Sequence, residues 1–69
     1  MDRDIHKVIG KNIKRLRTKK AISQEKLSVI LKKNDKFIGH IERCERRISL
    51  NSLISLAEYF EVDIKEFFK

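Results

Sequence analysis

No proline occurs in these 69 residues and only two glycines do, so the connections between structural elements are expected to be short. Cysteine is nearly absent as well. The single Cys44 has no partner with which to staple a fold, and His6 and His40 add no ligand spacing that would build a structural zinc site around it. Cys44 is read as a small turn residue, with a reactive thiol as the alternative. Long apolar runs are missing too: stretches such as Val29-Ile30-Leu31 are only a few residues long. No segment therefore reads as a membrane span, the charged N-terminus lacks a secretory apolar core, and a cytoplasmic location is expected. Carboxylate pairs, nucleophile–base sets, metal clusters and phosphate-binding loops are likewise not found. No enzymatic activity, cofactor or small-molecule ligand is expected.

What the chain has in quantity is positive charge, unevenly spread. The formal charge is +7, and residues 1–20 hold eight basic and two acidic side chains, residues 21–48 seven and four, and residues 49–69 two and four. The segments carry +6, +3 and −2. Such an asymmetry suits a polyanion on the first two thirds and another partner, or solvent, on the last. A basic surface that only keeps a small protein soluble is the alternative. At this length one domain, 1–69, is expected, burying roughly 60% of its unfolded surface and leaving no room for a separate catalytic unit.

Periodicity gives five helices and no strands. Ile5, Val8, Ile9, Ile13 and Leu16 share one side of a first helix capped by Asp2 or Asp4, whose other faces are full of lysine and arginine. That helix ends near Lys19 or Lys20, where cations suit a helix C-terminus. Ser23 is placed to cap a second helix with Leu27, Ile30 and Leu31 in one stripe, and Asn34 to cap a third. Ser49 opens a fourth, with Leu50, Leu53, Ile54, Ala57 and Phe60 facing inward. Asp63 with Glu66 forms a capping-box-like start to a last short turn that ends in Phe67 and Phe68.

The third helix divides most sharply. At about 100° per residue from Asp35, Phe37, Ile38 and Ile41 fall near about 200°, 300° and 240°. Asp35, Lys36, Gly39, His40 and Arg43 fall between about 0° and 140°. One side is core; the other is a polar, net basic surface of the kind that a helix-turn-helix protein lays in the DNA major groove.

Three segments, in order, carry a resemblance. IGKNIKRLRTKKAISQEKL covers a first helix and the Ser-Gln-Glu start of a second, and FIGHIERCERRISL covers a recognition helix, its Ile-Glu-Arg exit and the following loop. EVDIKEFF covers a closing turn. Residues 9–68 thus resemble the Cro/repressor-type, or xenobiotic response element, helix-turn-helix family. The resemblance implies an all-α fold, a compact five-helix lambda-repressor-like helix-turn-helix domain that binds double-stranded DNA and is usually dimeric. Two departures concern the backbone. The family commonly has glycine where Lys32 stands, in the turn between the second and third helices, where a left-handed conformation costs a side chain roughly 1 kcal/mol, and it also has glycine where Cys44 stands. It also favours an apolar residue at Lys33, whose stem can lie on the core while its ammonium stays wet.

Asn34, Asp35, Lys36, Gly39 and His40 match the family's groove-facing positions, on a recognition helix spanning about residues 34–43. Lys36 is the first candidate base reader, donating to the acceptor edge of guanine. Asp35 either accepts from the cytosine amino group or is only a favourable charge at a helix N-terminus. Gly39 is expected to permit close approach of the backbone to DNA. His40 reads a base, touches a phosphate, or is simply an exposed polar residue. Gln24 would meet a phosphate through its amide and the free N–H groups beside it, unless it is a solvated helix start. Arg43, Arg46 and Arg47 form a candidate phosphate clamp, and by resemblance Arg17 and Glu42 form an ion pair tying the recognition helix to the scaffold.

A single domain of this size is too small to select a unique genomic site, so a homodimer reading two half-sites about 34 Å apart is expected. Ile54, Tyr59, Ile64, Phe67 and Phe68 are the interface candidates in the low-charge C-terminal part, and several of them must instead be core. Residues 37–50 are similar to restriction-modification controller proteins, which are short, single-domain and dimeric, although phage-type repressors fit as well. In a second class of reading the chain is an antitoxin-like protein whose acidic, aromatic C-terminal end binds another protein and whose DNA binding is secondary.

Overall fold

Asp4 opens the first helix: its carboxylate accepts from the backbone N–H groups of His6 and Lys7, at 3.2 and 3.3 Å. The computed structural model describes residues 4–69, so Asp2, the other expected cap, lies outside the described residues. Helix α1 spans Ile5–Lys19, α2 Gln24–Ile30, α3 Phe37–Glu42 and α4 Leu50–Phe60, and a 3-10 helix covers Ile64–Phe68. Ser23 and Ser49 cap α2 and α4 by accepting from the N–H groups of Lys26 and Ser52. The fold is all-α, but the fifth element is a single 3-10 turn rather than an α-helix. Five residues are too few to propagate α-helical pairing alone, and the buried Asn12 side chain takes up carbonyls at its end, donating to Phe67 O at 3.0 Å and Lys69 O at 3.4 Å. Glu66 closes no capping box there; its carboxylate pairs with Lys69 at 2.8 Å and Arg15 at 3.9 Å.

Every α-helix stops in the same way. Ala21, Lys32, Cys44 and Glu61 have φ between 57° and 60°, so four side chains occupy the left-handed conformation that usually falls to glycine. In each case the N–H of the left-handed residue and that of its successor turn back onto the last helical turn. After α2, Lys32 N–H donates to Val29 O and Lys33 N–H to Ser28 O; after α3, Cys44 N–H donates to Ile41 O and Glu45 N–H to His40 O. These bonds satisfy carbonyls that a helix end otherwise leaves orphaned, and they keep the connections short without proline or glycine.

The core is built from Ile9, Ile13 and Leu16 of α1, Leu27 of α2, the apolar side of α3, Leu53, Leu56 and Ala57 of α4, and Phe67. Ile5, Ile30, Leu50 and Ile54, expected inward, are exposed, whereas Leu56 is fully buried. The apolar arc of α4 is wider than the strip the core can cover, and at about 100° per residue Leu50 and Ile54 lie on its outer edge. Phe67 has 0% exposure and fills the core, so among the five interface candidates it is one of those taken up by the core and not available for a dimer interface. Gly10 lets α1 and α3 meet backbone to backbone: a Cβ there would lie 2.8 Å from Ile41 O and 3.2 Å from Glu42 O.

Candidate nucleic-acid interface

Ser28 joins the two helices of the candidate reading unit. Buried in α2, its hydroxyl donates to Gln24 O at 2.7 Å and accepts from Ile38 N–H at 2.9 Å, one of the donors that the start of α3 leaves without an intrahelical partner. With Phe37, Ile38 and Ile41 buried beside it, α3 is held by one flank and its other side faces out. Sequence reading passed over Ser28, because a serine inside an apolar helix resembles any other small polar residue until the neighbouring helix is placed.

The far end of α3 is fixed by a second polar cluster. Arg17 Nε donates to Glu42 Oε2 at 2.7 Å and Arg17 Nη2 to Oε1 at 3.1 Å, a bidentate pair, while Nη1 donates to Ile22 O at 3.0 Å. The two side chains are 14% and 4% exposed. Gln24 completes the cluster, its amide nitrogen donating to Glu42 Oε1 at 2.9 Å. That amide is therefore turned onto the protein rather than out toward a phosphate. Gly39 is explained by the same contact: a Cβ on it would lie 3.0 Å from Gln24 Oε1 and 3.1 Å from Arg43 Nη1. The bare backbone of Gly39 is covered by protein, so its small size serves the seating of Gln24 and Arg43 instead of exposing backbone to a ligand.

Residues 34–36 precede the helix rather than belonging to it. Asn34 Oδ1 accepts from Lys36 N–H at 2.9 Å and Asn34 O from Phe37 N–H at 3.0 Å, so α3 begins at Phe37 and its cap position is Lys36, with no side-chain cap. The physical reason is that an asparagine bonded to the backbone two residues on stabilises a turn in place of a helical start. Asn34, Asp35 and Lys36 are all exposed. Gln24, Asp35, Lys36, Gly39 and Arg43, together with Glu25, line one shallow polar depression between the start of α2 and the outer side of α3.

The three arginines have different surroundings. Arg43 Nε lies 3.2 Å from Glu45 Oε2, and the Arg46 guanidinium stacks 5.2 Å from the centre of the Phe37 ring, which Lys33 also approaches at 5.5 Å. Arg47 is exposed. His40 Nδ1 sits 2.9 Å from the other Glu45 oxygen. Hydrogen bonds from His40 and then Arg43 hold the Glu45 carboxyl below the ordinary carboxylate range. Glu45 was not among the residues singled out from the sequence, since a glutamate in an arginine-rich loop looks like charge balance.

Of the remaining interface candidates, Ile54 and Phe68 are exposed, and Tyr59 and Ile64 are half-buried. The Tyr59 ring meets Phe60 edge to face and carries the Lys20 ammonium 4.8 Å from its centre. Leu50, which the sequence assigned to the core, stands 64% exposed one turn from Ile54. No described helix is long and apolar enough to cross a membrane.

Comparison with known proteins bears on the family and the fold. The helix-turn-helix family profile matches residues 13–67. The control protein C.SmaI of Serratia marcescens is 33% identical over 61 residues, which is 88% of this chain and 73% of that protein. Among solved structures, the restriction-modification controller protein C.AhdI from Aeromonas hydrophila superposes with a TM-score of 0.82 at 30% identity, covering 91% of this chain and 96% of the other. A hypothetical transcription factor from Neisseria, NHTF, superposes with a TM-score of 0.88 over 96% of this chain and 76% of its own, and at 23% identity it speaks for the fold alone.

Proposed function

Because this chain belongs to the helix-turn-helix family and is a DNA-binding transcriptional regulator close to restriction-modification controllers, we propose that it acts as such a controller, a homodimer whose two copies of α3 read half-sites in successive major grooves. The observation that carries this is the division of α3 and the turn before it. Ile38 and Ile41 are buried, while Asp35, Lys36 and Arg43 line one outer depression beside the start of α2 and the His40 side chain is 41% exposed. Lys36 donates to a guanine edge, Asp35 accepts from a cytosine amino group, and His40 meets a neighbouring base. Arg43, Arg46 and Arg47 contact phosphates on either side, which positions the helix without reading sequence. Asn34 shapes the turn that presents Lys36, and Gln24 acts as a buttress between Glu42 and Gly39. The Arg17–Glu42 pair holds α3 at its angle to α1.

The dimer surface is proposed on α4 and the chain end, where Leu50, Ile54 and Phe68 are exposed and the local charge is mildly acidic. Two copies related by a two-fold axis place their half-sites about 34 Å apart, one turn of DNA. Selecting bound duplexes from random DNA over a range of salt concentrations tests the reading. The expected result is a palindromic motif and an affinity that falls steeply with salt. Salt-dependent binding with no motif at any salt would defeat it and favour a protein partner.

A further inference from the structure

The left-handed turn at Cys44 has a consequence for how α3 meets a base. With φ at 60° there, Glu45 N–H donates to His40 O at 2.8 Å, and the residue after the turn is folded back over the last turn of the helix. In such endings an apolar side chain frequently packs at this point. Here the contact is polar: Glu45 Oε1 lies 2.9 Å from His40 Nδ1 and Oε2 lies 3.2 Å from Arg43 Nε. Both carboxylate oxygens are engaged, one with each side chain.

An ionised carboxylate has no proton to give, and the contacts that lower the Glu45 carboxyl keep it ionised. The proton in the bond therefore sits on Nδ1. In the neutral ring, which carries only one N–H, Nε2 is then left as a lone-pair acceptor. In the major groove an acceptor complements an amino group, the adenine N6 or cytosine N4, and opposes guanine O6 and N7 or thymine O4.

We propose that Glu45 is a positioning residue that fixes the ring tautomer of His40, and thereby makes one position of each half-site prefer adenine or cytosine on the strand that His40 meets. Glu45 itself need not touch DNA. The inference rests on the DNA-reading function proposed above, and it narrows the part played there by His40.

Two measurements on the full chain test it. Long-range nitrogen–proton NMR of the free protein at about pH 8.5, above the ordinary range of imidazole titration, reports which ring nitrogen carries the proton, with His6 as the only other histidine. The Nδ1–H form is expected for His40, moving toward the Nε2–H form in Glu45→Ala and largely kept in Glu45→Gln, whose amide oxygen still accepts. Selection from random duplexes at the same pH should then show an adenine-or-cytosine preference of about fivefold at one position per half-site, a size expected of one hydrogen bond. That preference is lost in Glu45→Ala, retained in Glu45→Gln, and unaltered at the other positions in both.

An Nε2–H ring in the unsubstituted protein overturns the proposal. So does a Glu45→Ala variant that changes affinity for every sequence by the same factor, or a Glu45→Gln variant that behaves as Glu45→Ala, since either makes the effect one of charge alone. Absence of any motif with the unsubstituted protein defeats the DNA-reading function as well, and the NMR measurement, made without DNA, separates the two failures.

Discussion

Glu42 and Glu45 stand three residues apart at the end of the recognition helix, and each accepts from two side chains, yet they sit in opposite surroundings. Glu42 is 4% exposed and is held by Arg17 and Gln24, whereas Glu45 is 52% exposed and is met by His40 and Arg43. Water cannot replace a partner lost at Glu42, while at Glu45 it can, and a DNA phosphate can compete for Arg43. The same pairing chemistry therefore holds the scaffold in one place and leaves an adjustable contact in the other. That is a useful division for a domain that must keep α3 rigid on its inner side and adaptable on its outer side.

The sharpest way to break this comparison is Glu42→Ala. It strands the Arg17 guanidinium, which is only 14% exposed, and should lower stability by about 3–5 kcal/mol in urea unfolding. Replacing both Arg17 and Glu42 by methionine should cost less than the single change, because no uncompensated charge remains. If Glu42→Ala costs no more than Glu45→Ala, the distinction between the two carboxylates fails.

The contrast also marks what was legible in the sequence. Ser23 and Ser49 were readable as caps because a hydroxyl just before an apolar-periodic run has few other uses, and the inner side of α3 was readable because Phe37, Ile38 and Ile41 fill a narrow arc. The start of α3 was not, since Asn34 can cap a helix or make a turn and only its bond to Lys36 decides between them. In α4 the apolar residues outnumber the buried positions, so periodicity alone could not choose Leu56 over Leu50 and Ile54. At the site, Asp35, Lys36 and Arg43 were placed together by spacing. The Gln24–Glu42 contact, the cover over Gly39 and the Glu45 bridge all depend on where chain segments far apart in angle or in sequence come to rest.

On the outer side, effects should appear in DNA binding and not in folding. Lys36→Ala should cost about 1–3 kcal/mol on the best site, relaxing preference at one or two base pairs while leaving the urea midpoint in place. Equal weakening on every sequence would identify Lys36 as a phosphate contact instead. Arg46→Ala with Arg47→Ala should weaken all sequences together and reduce the dependence of log K on log salt by about one per lost phosphate contact. An unchanged slope would remove both arginines from the interface, leaving Arg46 with its packing on Phe37.

Between the two carboxylates lies Cys44, and a glycine there should raise stability by about 1 kcal/mol by relieving the left-handed strain, as measured by the urea midpoint. A loss of stability would mean that the extra freedom glycine gives the unfolded chain outweighs the strain it removes.

The smallest effect is expected from acid at Glu45, and its sign is fixed by the bonds from His40 and Arg43 that lower the carboxyl in the folded protein. A lowered carboxyl contributes stability that is fully present above the unfolded value, near about 4.3 for glutamate, and is lost as the pH falls through the folded value. The urea midpoint of the unsubstituted protein should therefore lie slightly above that of Glu45→Ala at about pH 6, and the gap should close in acid below about pH 4. Glu66, lowered chiefly by its hydrogen bond from Lys69, titrates in the same direction in both proteins and cancels from the comparison. A gap that widened on acidification would mean that Glu45 interacts more favourably when protonated, and the carboxylate bridge between His40 and Arg43 would have to be abandoned.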